Sequence, residues 1–121
     1  MPIAEGFNDL EFWGSYAALR AAGFRVDVAA PVKGPVGKGA RAATADIALD
    51  DVDVSRYVGM AIAGGSSPGT LVKYPKALEI CRAFMAADKP VGAICHGPFL
   101  LMKAGVLKDR VRTLLSKIIA A

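Results

Sequence analysis

Two short, uninterrupted apolar runs, Val58-Gly59-Met60-Ala61-Ile62-Ala63 and Pro90-Val91-Gly92-Ala93-Ile94, set the tightest limit on how this chain can fold. A half-wet strand alternates polar and apolar residues, whereas a run without alternation belongs to a strand covered on both faces, as in a parallel sheet. Between the runs lies a helical pattern. Ala77, Ile80, Cys81 and Phe84 recur at three and four residues, Lys76, Glu79, Arg82 and Lys89 can stay in water, and Pro75 suits the first turn. After the second run, residues 98–104 read as another helix, with Pro98 at its start and Gly105 closing it. Strands that alternate with helices predict a layered α/β domain with a mainly parallel sheet and right-handed crossovers.

The N-terminal half fits the same scheme. Asn8-Asp9 can cap a helix over residues 9–22 whose apolar positions are Leu10, Trp13, Ala17, Ala18 and Ala21, with Gly23 placed to end it. Phe24-Arg25-Val26-Asp27-Val28 alternates strictly, which predicts a half-covered strand closed by Pro31. Pro2-Ile3-Ala4 would form a strand leading into the first helix. Residues 33–43 carry Gly34, Pro35, Gly37 and Gly39 among three cationic residues, the mark of an exposed loop or a loose hairpin. Gly37-Lys38-Gly39 lacks the Walker spacing and the following Ser or Thr of a phosphate loop.

At 121 residues the chain is long enough for one domain and too short for two, so a single domain over residues 1–121 is expected. Its 54% hydrophobic and 21% charged composition describes a chain rich in buried elements rather than a disordered one. The net charge of +4 is spread from Arg20 to Lys117 with no dense basic run, so no nucleic-acid partner is expected. Met1-Pro2-Ile3-Ala4-Glu5 has neither a basic start nor an apolar run long enough for a signal peptide or membrane span, so no membrane partner is expected and a cytoplasmic location is the default. Two cysteines, Cys81 and Cys95, are too few for a disulfide framework and each needs its own explanation.

Cys81 lies in a helical apolar stripe and reads as packing. Cys95 follows a buried strand and precedes a helix start, and Gly64-Gly65 follows the other buried strand. Ligands of parallel sheets bind beyond the carboxyl ends of the strands, so the two segments should open on one crevice. A nucleophile at such a turn needs small residues two positions before and after it, and Ala93 and Gly97 supply them. The positive end of the helix beginning near Pro98 would favour a thiolate. The backbone N–H groups of His96 and Gly65 could face a developing oxyanion. The bland reading of Cys95 is a small buried hydrophobe. His96, the only histidine, acts either as a base through its ring or only through its backbone N–H, because consecutive side chains at such a turn usually point apart. Glu11, beside Phe12 and Trp13, is either a carboxyl that stays protonated and hydrogen-bonds a thiolate or a solvated helix residue.

Ala93-Ile94-Cys95-His96-Gly97-Pro98, Glu5-Gly6-Phe7-Asn8-Asp9-Leu10-Glu11 and Ile62-Ala63-Gly64-Gly65 resemble the nucleophile elbow, first-helix motif and oxyanion loop of the ThiJ/PfpI (DJ) family, within the class I glutamine amidotransferase-like superfamily. The likeness runs in order over residues 2–113. It implies a flavodoxin-like three-layer sandwich in a homo-oligomer, dimeric or hexameric. It implies Cys95 as nucleophile, Glu11 as its hydrogen-bond partner, Gly65 and His96 as oxyanion donors, and no metal or organic cofactor. Glyoxalase, deglycase, peptidase and stress-protective activities are attributed to the family.

Three departures shape the expectation. Ser66-Ser67-Pro68-Gly69 offers no carboxylate where peptidase-like members place one, which disfavours peptidase activity. Only residues 1–4 precede the first-helix motif, so part of the first strand is expected to be missing. The family continues past the strand around Val111, whereas residues 114–121 depart from its pattern and would form a short amphipathic helix or the end of a truncated product. The leading expectation is a cofactor-free cysteine enzyme acting on small reactive carbonyls, such as a glyoxalase that converts methylglyoxal to lactate. The alternatives are a non-catalytic redox-sensing stress or chaperone protein and an inactive truncated relative.

Overall fold

The computed structural model describes residues 1–38 and 41–107. The elements are α1 (Asp9–Ala21), β1 (Ala29–Ala30), β2 (Gly34–Val36), β3 (Ala43–Ala45), β4 (Ile47–Ala48), 3-10 turns at Leu49–Asp51 and Val54–Arg56, β5 (Met60–Ile62), α2 (Ser67–Leu71), α3 (Pro75–Ala86), β6 (Val91–Ala93) and α4 (Pro98–Lys103).

β5 and β6 pair in parallel, with Met60 opposite Val91 and Ile62 opposite Ala93. Their ladder is extended by Met60 N donating to Pro90 O and Ile94 N donating to Ile62 O, each at 3.0 Å. β1 pairs in parallel with β4, and Pro2 forms a parallel bridge to Ala29, so the N-terminal strand is present as a single bridge. β2 and β3 form an antiparallel hairpin.

The layering shows in the side chains. Successive residues of a strand point to opposite faces, and Ile62 packs with one core cluster while Ala63 packs with the other. Ala29 and Ala30, and Ala4 and Ile3, divide in the same way. One cluster gathers Met60, Ile62 and Ala93 under Ala77, Ile80, Cys81 and Phe84 of α3 and Leu100 and Leu101 of α4. The other gathers Ile3, Phe7, Phe12, Val28 and Ala63 beneath α1. The two parallel strand pairs, β1 with β4 and β5 with β6, thus lie between two helical layers, a flavodoxin-like α/β arrangement.

α3 follows its sequence pattern, with Ala77, Ile80, Cys81 and Phe84 buried. α1 has the expected limits but a different inner face. Leu10, Ala17 and Ala18 are exposed, and Phe12 is the residue buried outright. A single large ring decides the rotation of this helix: Phe12 stands 4.9 Å from both Phe7 and Trp13, and small alanines cannot compete with that area. Residues 24–28 bury Val26 and Val28 but leave Phe24 exposed, and the expected strand is not formed there. Pairing starts only past its end, at Ala29–Ala30, while Asp46 takes Val28 N–H on its carboxylate and gives its own N–H to Val28 O, both at 2.8 Å. Val58 stays exposed, so the buried strand is shorter than its apolar run. Residues 33–43 take the hairpin alternative through β2 and β3. β4 and α2 were not expected. Gly39, the strand around Val111 and residues 114–121 lie outside the described residues.

Candidate active site

Cys95 stands two residues beyond β6 with φ at +55°, in the left-handed region. That backbone costs a residue with a side chain about 1–2 kcal/mol. The turn closes through Gly97 N, which donates to Ile94 O at 2.7 Å. A Cβ on Gly97 would stand 2.7 Å from Ile62 O and 3.0 Å from Ile94 O, so no larger residue fits there. Ala93, the other small neighbour, is buried. The Cys95 thiol is exposed and its Sγ lies 3.3 Å from His96 Nδ1. The expectation that the two side chains point apart is therefore corrected. The left-handed residue breaks the strand alternation that would have sent them to opposite faces.

The second wall comes from the end of β5. Gly64 N donates to Glu11 Oε1 at 2.8 Å, and Asn8 N donates to Gly64 O at 3.2 Å. Asn8 Oδ1 accepts from Glu11 N at 3.1 Å as the N-cap of α1. In a closed capping box the glutamate would accept from the N–H of the cap residue itself. Here the Gly64 residue is threaded into the box, giving its N–H to the glutamate and its carbonyl to the cap. A Cβ on Gly64 would run into Glu11 Oε1 and stand 3.0 Å from Cys95 Cβ and 3.1 Å from His96 N. Glu11, Gly64, Cys95 and His96 are thus brought together. Glu11, half-buried, meets this group through Gly64 N–H, and the partner placed on the thiol is His96.

Gly65 has φ at +79° and bridges Phe7, and a Cβ there would collide with Gly6 O and crowd Asn8 N at 2.7 Å. Ser66 N donates to Gly6 O at 2.9 Å. Neither Gly65 N–H nor His96 N–H donates a backbone hydrogen bond among the described residues. Below them Ser67, fully buried, accepts from Ala4 N at 2.9 Å through its hydroxyl and ties the first loop to the start of α2. Asn8 and Ser67 were missed as site residues. Asn8-Asp9-Leu10-Glu11 carried a readable capping signal, whereas nothing in Ser66-Ser67-Pro68 marks a buried hydroxyl.

Cys81 is the counterexample. It is buried in α3, and burial pushes its thiol up to about 12 against the weaker opposing pull of Arg82. Among the described residues, no three His, Cys, Asp or Glu side chains gather as a metal site would require, and no helix is long and apolar enough to cross a membrane.

A three-layer α/β domain with a left-handed cysteine between a parallel strand and a helix, facing a glycine pair at the end of the neighbouring strand, defines a class of cysteine-elbow proteins. The chain belongs to the DJ-1/PfpI family, whose model matches residues 1–119. It is 36% identical to Deglycase PfpI of Pyrococcus furiosus over 91% of this chain and 67% of that protein. It is 37% identical to General stress protein 18 of Bacillus subtilis over 88% of this chain and 64% of that protein. Among solved structures, a two-domain protein of Anabaena variabilis with DJ-1/ThiJ/PfpI-like and ferritin-like domains superposes with a TM-score of 0.84 at 28% identity, covering 90% of this chain and 33% of that one. The chain spans about two thirds of the length of these curated relatives.

Proposed function

We propose that the protein is a cysteine-dependent enzyme acting on small reactive carbonyls. The observation that carries this reading is the left-handed, exposed Cys95 with His96 Nδ1 3.3 Å from its sulfur and Gly64 against its Cβ. The names of the relatives, four deglycases of Pyrococcus and Thermococcus species among them, support carbonyl chemistry as its class.

With methylglyoxal, Cys95 Sγ adds to the aldehyde carbon. The S–C bond forms, the carbonyl π pair moves to oxygen, and the thiol proton passes to the His96 ring. The N–H groups of Gly65 and His96 hold the alkoxide, which takes up a proton to give a hemithioacetal. Transfer of the hydrogen on that carbon to its neighbour through an enediol leaves a thioester. Water then cleaves the thioester, releasing lactate and the thiol, so methylglyoxal and one water account for every atom. Glu11 fixes the Gly64 peptide throughout. α2 begins Ser67-Pro68-Gly69 with no acidic residue in its first turn, which argues against a peptidase triad. Purified protein should consume methylglyoxal on the order of a hundredfold faster than its Cys95→Ser variant; equal rates would sink the reading.

A second reading, a redox-sensing thiol, is supported by the exposure of Cys95 beside a shielded Cys81 and by a solved DJ-1 of Toxoplasma gondii described as oxidized, 25% identical over 89% of this chain and 61% of that one, with a TM-score of 0.79. Oxidation to sulfenic acid under mild peroxide with no turnover of methylglyoxal would favour it over the first.

A further inference from the structure

We propose that Asn8 is a positioning residue that aims the Gly65 N–H into the site, an inference that rests on the carbonyl reading above. The peptide joining Gly64 to Gly65 is planar and trans, so the Gly64 carbonyl and the Gly65 N–H point in opposite directions from one rigid plate. The Gly64 carbonyl accepts from Asn8 N at 3.2 Å. That bond faces the carbonyl toward the start of α1 and leaves the Gly65 N–H turned away from it. Neither flanking residue carries a Cβ to fix the plate, so it is held by the two bonds of the Phe7–Gly65 bridge, Asn8 N to Gly64 O and Ser66 N to Gly6 O at 2.9 Å. Its orientation is therefore set by its hydrogen bonds.

Asn8 holds this arrangement from two sides. Its backbone N–H makes the bond to the plate, and its side chain fixes the residue as N-cap, at φ −74° and ψ 122°, by accepting from Glu11 N at 3.1 Å. Glu11 in turn holds the Gly64 N–H on the other side of the same residue at 2.8 Å. Cap, glutamate and glycine form a closed ring of three hydrogen bonds. Removing the Asn8 side chain releases the cap residue, lengthens the bond to the plate and lets the Gly65 N–H swing off the oxyanion. Asn8 touches neither thiol nor substrate in this scheme.

The test compares wild type with Asn8→Ala, Asn8→Ser and Ala18→Gly in the full chain. Ala18 is exposed on α1, so its glycine variant weakens the helix without touching the cap. Asn8→Ala should lower kcat on methylglyoxal about tenfold with KM held within about twofold, since an oxyanion forms only in the transition state. Iodoacetamide should alkylate Cys95 in this variant at the wild-type rate, because displacement at carbon builds no oxyanion. Asn8→Ser, an equivalent cap, should restore kcat. Ala18→Gly should lower Tm and leave kcat unchanged. Equal losses of kcat in Asn8→Ala and Ala18→Gly, a parallel loss of alkylation, or no recovery in Asn8→Ser would overturn the assignment. Failure of the wild type to turn over methylglyoxal would sink the carbonyl reading instead. The amide signals of Gly64 and Gly65 then decide this one: a change in their shift and hydrogen exchange in Asn8→Ala that is absent in Ala18→Gly supports it, and unchanged signals at both glycines overturn it.

Discussion

The turn at Cys95 and the helix face at Cys81 place the same side chain in opposite circumstances. Cys81 sits in a regular α3 among Ile80, Phe84 and Leu100, where burial raises its thiol to about 12 and leaves it a small hydrophobe. Cys95 stands on a left-handed backbone with its thiol in solvent and an imidazole 3.3 Å away. The difference teaches where this fold places strain. Two residues with side chains adopt the left-handed region, Asp88 just past α3 and Cys95, and only at Cys95 does that backbone present an exposed sulfur.

The largest effect expected on this contrast comes from the packed side. Phe84→Ala removes a ring from the cluster that shields Cys81 and should cost about 3–5 kcal/mol of stability. A urea unfolding curve measures it, and labelling of Cys81 in the variant should accelerate as the fold opens more often. A smaller effect is expected at the other cysteine. Cys95→Gly removes the side chain that the left-handed backbone penalises, so it should abolish thiol reactivity while raising stability by up to about 1 kcal/mol. A destabilised glycine variant would mean that the turn is not strained.

Much of this contrast was legible in the sequence. The stripe of α3 identified Cys81 as packing because an amphipathic helix on a sheet has one dry face, and four residues at helical spacing mark it. Cys95 was legible because small residues flank it between an apolar run and a proline-led helix, although only Ala93 of the strand in that run is buried and Gly92 and Ile94 are exposed. The rotation of α1 was not, because Phe12 takes the inner face through aromatic contacts with Phe7 and Trp13 rather than through its place in a stripe. α2 escaped for a related reason: Ser67-Pro68-Gly69 reads as a turn locally, and its helix is secured by the burial of Ser67, Pro68 and Leu71. The contact between Cys95 and His96 depends on one backbone dihedral, which no side-chain pattern reports. The same holds for Gly64 within the capping box, since the partners are 53 residues apart.

Competitive alkylation tests the central claim most directly. Native protein treated with limiting iodoacetamide at neutral pH, then analysed by mass spectrometry, should carry label on Cys95 alone, and both cysteines should label once the protein is unfolded in guanidinium. Equal labelling of Cys81 and Cys95 in the native protein would contradict the account.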